Sequence, residues 1–144
     1  MFNQTEISSI RNFNRDYTKL LGILNKKVLG TPLSWTEGRV ILEISFNHDK
    51  TPIEVANSLN LDKSYTSRII KRFEKNELLT KSPSATDSRS VQLHLTSKGL
   101  ALVKELDERS DQQIKDLLGN LSDLEQKKFY QAMSTIDTLL FNRK

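Results

Sequence analysis

The 144-residue chain contains no cysteine, which removes disulfides, thiolate metal ligands and thiol-based redox sensing from its chemistry. Histidine is almost as scarce: His48 and His94 are the only two, too few and too far apart in sequence to suggest a metal cluster, so no metal site is expected. With five glycines and three prolines, the composition excludes collagen-like and linker-type chains, and no Gly-rich phosphate loop or nucleophile motif is present. No apolar run approaches the roughly 18 residues that a membrane span needs, and residues 1–11 alternate polar and apolar groups, unlike a signal peptide. A cytoplasmic location without membrane contact is therefore expected. The acid pairs Asp107/Glu108 and Asp123/Glu125 fall on Lys-rich helix faces, where solvated charge accounts for them. No catalytic residue, cofactor or enzymatic activity is expected.

What is present is globular: 36% hydrophobic and 28% charged residues, long enough to bury a core as one domain over 1–144. The net charge of +4 is modest, but its placement is uneven. Between Lys63 and Lys98 eight basic residues face three acidic ones, a surplus of five, and the rest of the chain is slightly acidic. A localised anionic partner fits this pattern better than a generally adhesive surface.

Hydrophobic spacing predicts a long amphipathic helix over 6–29, carrying Ile7, Ile10, Phe13, Tyr17, Leu20, Leu21, Leu24 and Val28, with Gly30 and Pro32 ending it. Ser34 and Glu37 then form a capping box, opening a helix with Val40, Ile41 and Ile44 inward. Thr51, Pro52 and Glu54 repeat the signal for a short helix ending near Leu59. Asn60 suits a left-handed turn and Asp62 a cap, so a further helix over 64–76 buries Thr66, Ile69, Ile70 and Phe73. Two short helices joined in this way make a helix-turn-helix, about 51–76. Alternation around 78–81 and 91–95, about a polar, Ser-rich tip with Pro83, predicts a β-hairpin over about 78–96. Thr96 caps a long helix with Leu100, Val103, Leu106, Ile114, Leu117 and Leu118, running to about Gly119. Ser122 and Glu125 box the start of the last, with Phe129, Met133, Ile136 and Leu140 on one face. The fold class expected is mainly α with a small β-hairpin wing.

The 64–76 helix has the two sides that a DNA-reading helix needs, one apolar and anchored, the other small, polar and cationic. Helical spacing places Ser64, Ser67, Arg68, Lys71, Arg72 and Lys75 outward, with Tyr65 beside them. Arg68 is the candidate for a bidentate guanine contact; Ser64, Tyr65 and Ser67 suit adaptable contacts, and the lysines farther along suit phosphates. At the hairpin tip Asp87 can hold Arg89 extended, so that one guanidinium probes a narrow minor groove.

The residues Glu54-Val55-Ala56, Leu59, Leu61-Asp62, Ser67-Arg68, Phe73-Glu74, Leu78-Leu79, Asp87-Ser88-Arg89-Ser90 and Leu95-Thr96-Ser97-Lys98-Gly99 together resemble the MarR-type winged-helix regulators, over essentially the whole chain. The segments 10–17 and 36–40 further resemble a subgroup sometimes fused to an acetyltransferase domain, and no such domain is expected here. The resemblance implies a winged helix-turn-helix core at 34–96 flanked by dimerisation helices at 6–30 and 97–144. It also implies a homodimer on double-stranded DNA with a pseudo-palindromic operator. By position, Ser64, Tyr65, Ser67, Arg68 and Lys71 would enter the major groove and Arg89, braced by Asp87, the minor groove. Where the family usually has glycine this chain has Asn60, Glu77 and Ser88, and a left-handed Glu77 costs on the order of 1 kcal/mol.

Regulators of this type often bind small aromatic anions, and Tyr17, Leu21, Trp35 and Arg39 lie on the segments that would line such a pocket, with Arg39 as carboxylate partner. The expected function is a DNA-binding transcriptional regulator, a repressor relieved by such a ligand. The alternative is a winged-helix protein-interaction module or antagonist that dimerises without DNA. The clustering of cations on one helix and one hairpin tip favours the former.

Overall fold

The computed structural model describes residues 1–46, 50–84 and 89–141. Among these are six α-helices and one two-stranded antiparallel hairpin, in the order α1 (Gln4–Leu20), α2 (Trp35–Phe46), α3 (Pro52–Leu59), α4 (Lys63–Lys75), β1 (Leu79–Pro83), β2 (Val91–Leu95), α5 (Ser97–Leu118) and α6 (Asp123–Phe141). The chain divides into two compact units, Met1–Asp107 and Glu108–Lys144, and α5 runs through the division.

The first unit is organised by helix ends. Ser34 and Glu37 close their box from both sides, the Ser34 amide donating to Glu37 Oε1 at 2.9 Å and the Glu37 amide to Ser34 Oγ at 3.1 Å. Thr51 and Glu54 do the same at the start of α3, with Pro52 at the first helical position. Stops follow one rule. After α1, α3 and α4 a left-handed residue reverses the backbone: Gly22 (φ 76), Asn60 (φ 54) and Glu77 (φ 62). The next amide in each case reaches five residues back: Ile23 N–H to Thr18 O, Leu61 N–H to Ala56 O and Leu78 N–H to Phe73 O, at 2.8–3.2 Å. This is the paired-carbonyl cap that spares the last turn from orphan acceptors.

Gly22 corrects the helix expected over 6–29. Apolar spacing continues past it through Leu24 and Val28, but the helix stops at Leu20 because Gly22 enters the left-handed region without a Cβ penalty. A second reversal at Leu29 and Gly30 (φ 51 and 74) precedes α2, and in that turn the buried Thr31 hydroxyl donates to Val28 O at 2.8 Å.

The core lies within this unit. Val40, Ile41 and Ile44 of α2, Val55 and Ala56 of α3, and Ile69, Ile70 and Phe73 of α4 are almost wholly buried, together with Leu79, Leu93 and Leu106. The hairpin pairs Leu79 with Leu95 and Lys81 with Leu93, which sends Leu79 and Leu93 into the core while Thr80 stays exposed. β1 continues as far as Pro83, paired with Val91, farther than the hydrophobic alternation suggested; as the last residue of a two-stranded ribbon, proline tolerates the missing donor. On the other edge of β2 the Leu93 amide donates to Lys50 O at 3.0 Å.

In the second unit Ser122 and Glu125 form the expected box at the start of α6, and Gln126 Nε2 donates to Leu118 O at 3.0 Å across the turn. No described residue of α6 is buried: Leu124, Tyr130, Leu139, Leu140 and Phe141 are all more than half exposed. In the first unit α1 shows the same property, with Ile10, Phe13 and Leu20 exposed and no buried residue.

Candidate nucleic-acid interface

The DNA-facing candidates are positioned by the turn between α3 and α4. Asn60 reverses the chain, and the Asp62 carboxylate accepts the Tyr65 amide at 2.9 Å as the N-cap of α4. Thr66, fully buried, returns its hydroxyl to Asp62 O at 2.9 Å, which fixes the helix's first turn against the core. With Thr66, Ile69, Ile70 and Phe73 inward, Ser64, Ser67, Arg68, Lys71, Arg72 and Lys75 are all exposed and Tyr65 is half-buried. The outward set expected from helical spacing is therefore brought together on one exposed edge.

Within that edge the cations differ. The Arg68 guanidinium carbon lies 5.8 Å from the centre of the Tyr65 ring, close enough for a cation–π contact that steadies the arginine near the N-terminal half of α4. Arg72 Nη2 lies 3.5 Å from Glu37 Oε2, linking α4 to α2. Lys81 on β1 faces Glu74 at 3.4 Å. Lys71 and Lys75 make no ion pair among the described residues, so nothing there competes with a phosphate for them.

The hairpin's described end is closed by the Ser84 amide donating to Ser90 O at 3.0 Å, and Ser82 Oγ lies 2.7 Å from His94 Nε2 along one face. Arg89 is exposed just before β2. Asp87, expected to brace it, and Ser88, His48 and Asp49 lie outside the described residues. The corner between α4 and the hairpin is tightly tied. Thr96 donates its amide to Leu78 O at 3.0 Å and its hydroxyl to Glu77 O at 2.6 Å, and Lys98 Nζ donates to Asn76 O at 3.0 Å. Glu77 does take the left-handed conformation considered from the sequence.

Of the ligand-lining candidates, Trp35 and Arg39 share a cleft of about 520 Å³ with Ile23, Thr36, Leu59 and Leu61. Trp35 is half-buried and its indole N–H donates to Gly22 O at 3.0 Å, tying α2 to the turn that ends α1. Tyr17 stacks on Phe13 with ring centres 5.3 Å apart, and neither Tyr17 nor Leu21 is among the described residues lining the cleft. The sequence reading missed Leu59 and Leu61, which reach the cleft from the helix-turn-helix, and saw Glu37 only as a cap.

An exposed, cationic helix beside a short hairpin, carried on a buried three-helix core, defines a winged helix-turn-helix. Residues 33–91 match the sequence model of the MarR family. No curated protein matches the chain. Among solved structures it is similar to a MarR family protein from Bacillus stearothermophilus, at 19% identity and a TM-score of 0.77, covering 97% of this chain and 99% of that one. It is also similar to Streptococcus pneumoniae FabT, solved in complex with DNA, at 20% identity and a TM-score of 0.66, covering 96% of this chain and 94% of that one. A third is Bordetella bronchiseptica BpsR, whose DNA binding is regulated by 6-hydroxynicotinic acid, at 20% identity and a TM-score of 0.65, covering 90% and 98%. At these identities the likeness establishes the fold. No described helix is long and apolar enough to cross a membrane.

Proposed function

We propose that this protein is a sequence-specific, double-stranded-DNA-binding transcriptional regulator. The observation that carries the reading is the exposed edge of α4, with Ser64, Ser67, Arg68, Lys71, Arg72 and Lys75 outward and the opposite face locked in the core. Ser64, Tyr65, Ser67 and Arg68 suit base edges in the major groove; Lys71, Arg72 and Lys75 suit the backbone. Arg89 is assigned to the minor groove. A cytoplasmic location goes with this role.

The regulator acts as a homodimer on a pseudo-palindromic operator. Apolar faces left open on α1 and on α6 support this, because exposure of that extent marks surfaces a second copy covers. The simplest regulatory role is repression relieved by a small aromatic anion, held in the cleft by Trp35 and Arg39. Selection from a random pool of duplexes tests the reading. It should return half-sites about one helical turn apart, with affinity falling steeply as salt rises; a pool left unenriched would refute it.

A further inference from the structure

Glu37 serves two partners at once. Its Oε1 accepts the Ser34 amide at 2.9 Å and closes the cap of α2, while Oε2 faces Arg72 Nη2 at 3.5 Å on the exposed edge of α4. Burial divides the pair unevenly: the Glu37 side chain is 15% exposed and that of Arg72 56%. The carboxylate is therefore held by the fold, and the guanidinium is the partner able to leave. Lys98, a cation lining the same pocket as Glu37, is engaged with Asn76 O at 3.0 Å. Arg72 lies one turn beyond Arg68 on the same edge, so its release would carry it along the path of a bound duplex.

Resting on the DNA-binding reading above, we propose that Glu37 is a built-in competitor for the DNA backbone, holding Arg72 against α2 in the free protein and surrendering it to a phosphate in the complex. The exchange is favoured by chemistry. The intramolecular pair is a single long contact beside solvent, whereas a phosphate can take both arms of a guanidinium. A duplex also presents a negative charge about every 1.7 Å of its axis. Glu37 therefore lowers affinity for any duplex by a small, sequence-independent factor and so sets the threshold at which the regulator engages DNA. It is a positioning residue: it touches no DNA and acts only through Arg72.

Glu37→Gln tests this, because glutamine still accepts the Ser34 amide and keeps the cap. Binding to a random-sequence duplex at low salt should tighten about two- to fivefold, the size an exposed ion pair supports, and the gain should shrink as salt rises. In an Arg72→Ala background the same substitution should change nothing. An equal gain in that background would mean simple repulsion between carboxylate and duplex, and weaker binding by Glu37→Gln would mean that Glu37 aims Arg72 rather than withholding it; either overturns the proposal. The Arg72 Nε–Hε resonance of the wild-type protein reads the exchange without substitution. It should move on adding duplex, and in free Glu37→Gln protein it should already report the unpaired side chain; a signal unmoved by duplex overturns the proposal. Wild-type protein that binds no duplex at low salt defeats the DNA reading as well, whereas tight wild-type binding with an unresponsive Glu37→Gln defeats the tether alone.

Discussion

Gly99→Ala should destabilise the protein although helix propensity argues the reverse. Gly99 is in the first turn of α5, directly over the carbonyl of Leu78, and an added Cβ would lie 2.1 Å from that oxygen, where 3.4 Å is the start of ordinary contact. The obstacle is backbone, so the corner itself must open by roughly 1 Å. Three hydrogen bonds meet there, from the Thr96 amide to Leu78 O, the Thr96 hydroxyl to Glu77 O and Lys98 to Asn76 O. At about 1 kcal/mol each, with an orphaned carbonyl added, their loss comes to about 3–4 kcal/mol. Alanine recovers about 1 kcal/mol of helix propensity, leaving a net loss of about 2–3 kcal/mol, a sizeable share of the 5–15 kcal/mol typical of a domain. Urea unfolding followed by circular dichroism, at fixed protein concentration, should show a lower midpoint with an unchanged slope. A midpoint equal to or above wild type would refute the steric argument. The opposite sign is expected from Glu77→Gly at the same corner. Relief of the left-handed strain and of a carboxylate at a helix C-terminus, less the chain entropy of glycine, should stabilise by about 0.5–1 kcal/mol.

On a selected duplex, Arg68→Ala should cost about 1–3 kcal/mol and relax preference at one base position, while Lys71→Ala should weaken all sequences alike; binding unchanged by both would displace the interface from α4. At the start of α6, hydrogen bonds from the Ser122 backbone and side chain hold the Glu125 carboxyl below its ordinary value of 4.5. The stabilisation from a lowered carboxyl pKa is present above the unfolded value and lost as pH falls through the folded one. Acid unfolding should thus be less steep in Glu125→Gln below about pH 4.5, and an identical acid limb would remove the cap from the account. Trp35 is the only tryptophan, so titration with salicylate should give a saturable fluorescence change that Arg39→Ala abolishes; no change would remove the anion site from the account.

Local chemistry made most of the fold legible. The boxes at Ser34/Glu37, Thr51/Glu54 and Ser122/Glu125 form as their spacing requires, since each depends on side chains three residues apart. The inward set of α4 followed from one helical stripe, and with it the outward candidates. Gly22 was missed because leucines spaced helically on both sides hid a left-handed stop whose signature is one residue long. Long-range pairings left no mark on the sequence. Arg72 meets Glu37 across 35 positions, and Leu59 and Leu61 join Trp35 only once α3 folds beside α2. The uncovered stripes of α1 and α6 look like ordinary core faces in one chain's sequence, because periodicity gives a face and not what covers it.

The absence of cysteine provides the sharpest test of the α4 interface, because Ser67→Cys creates a unique attachment point in the middle of its exposed edge. A DNA-cleaving iron chelate placed there should cut a selected duplex in two clusters about one helical turn apart, centred on the major groove of each half-site. Uniform cleavage, or none while the labelled protein remains bound, would contradict the claim that this helix lies in the groove.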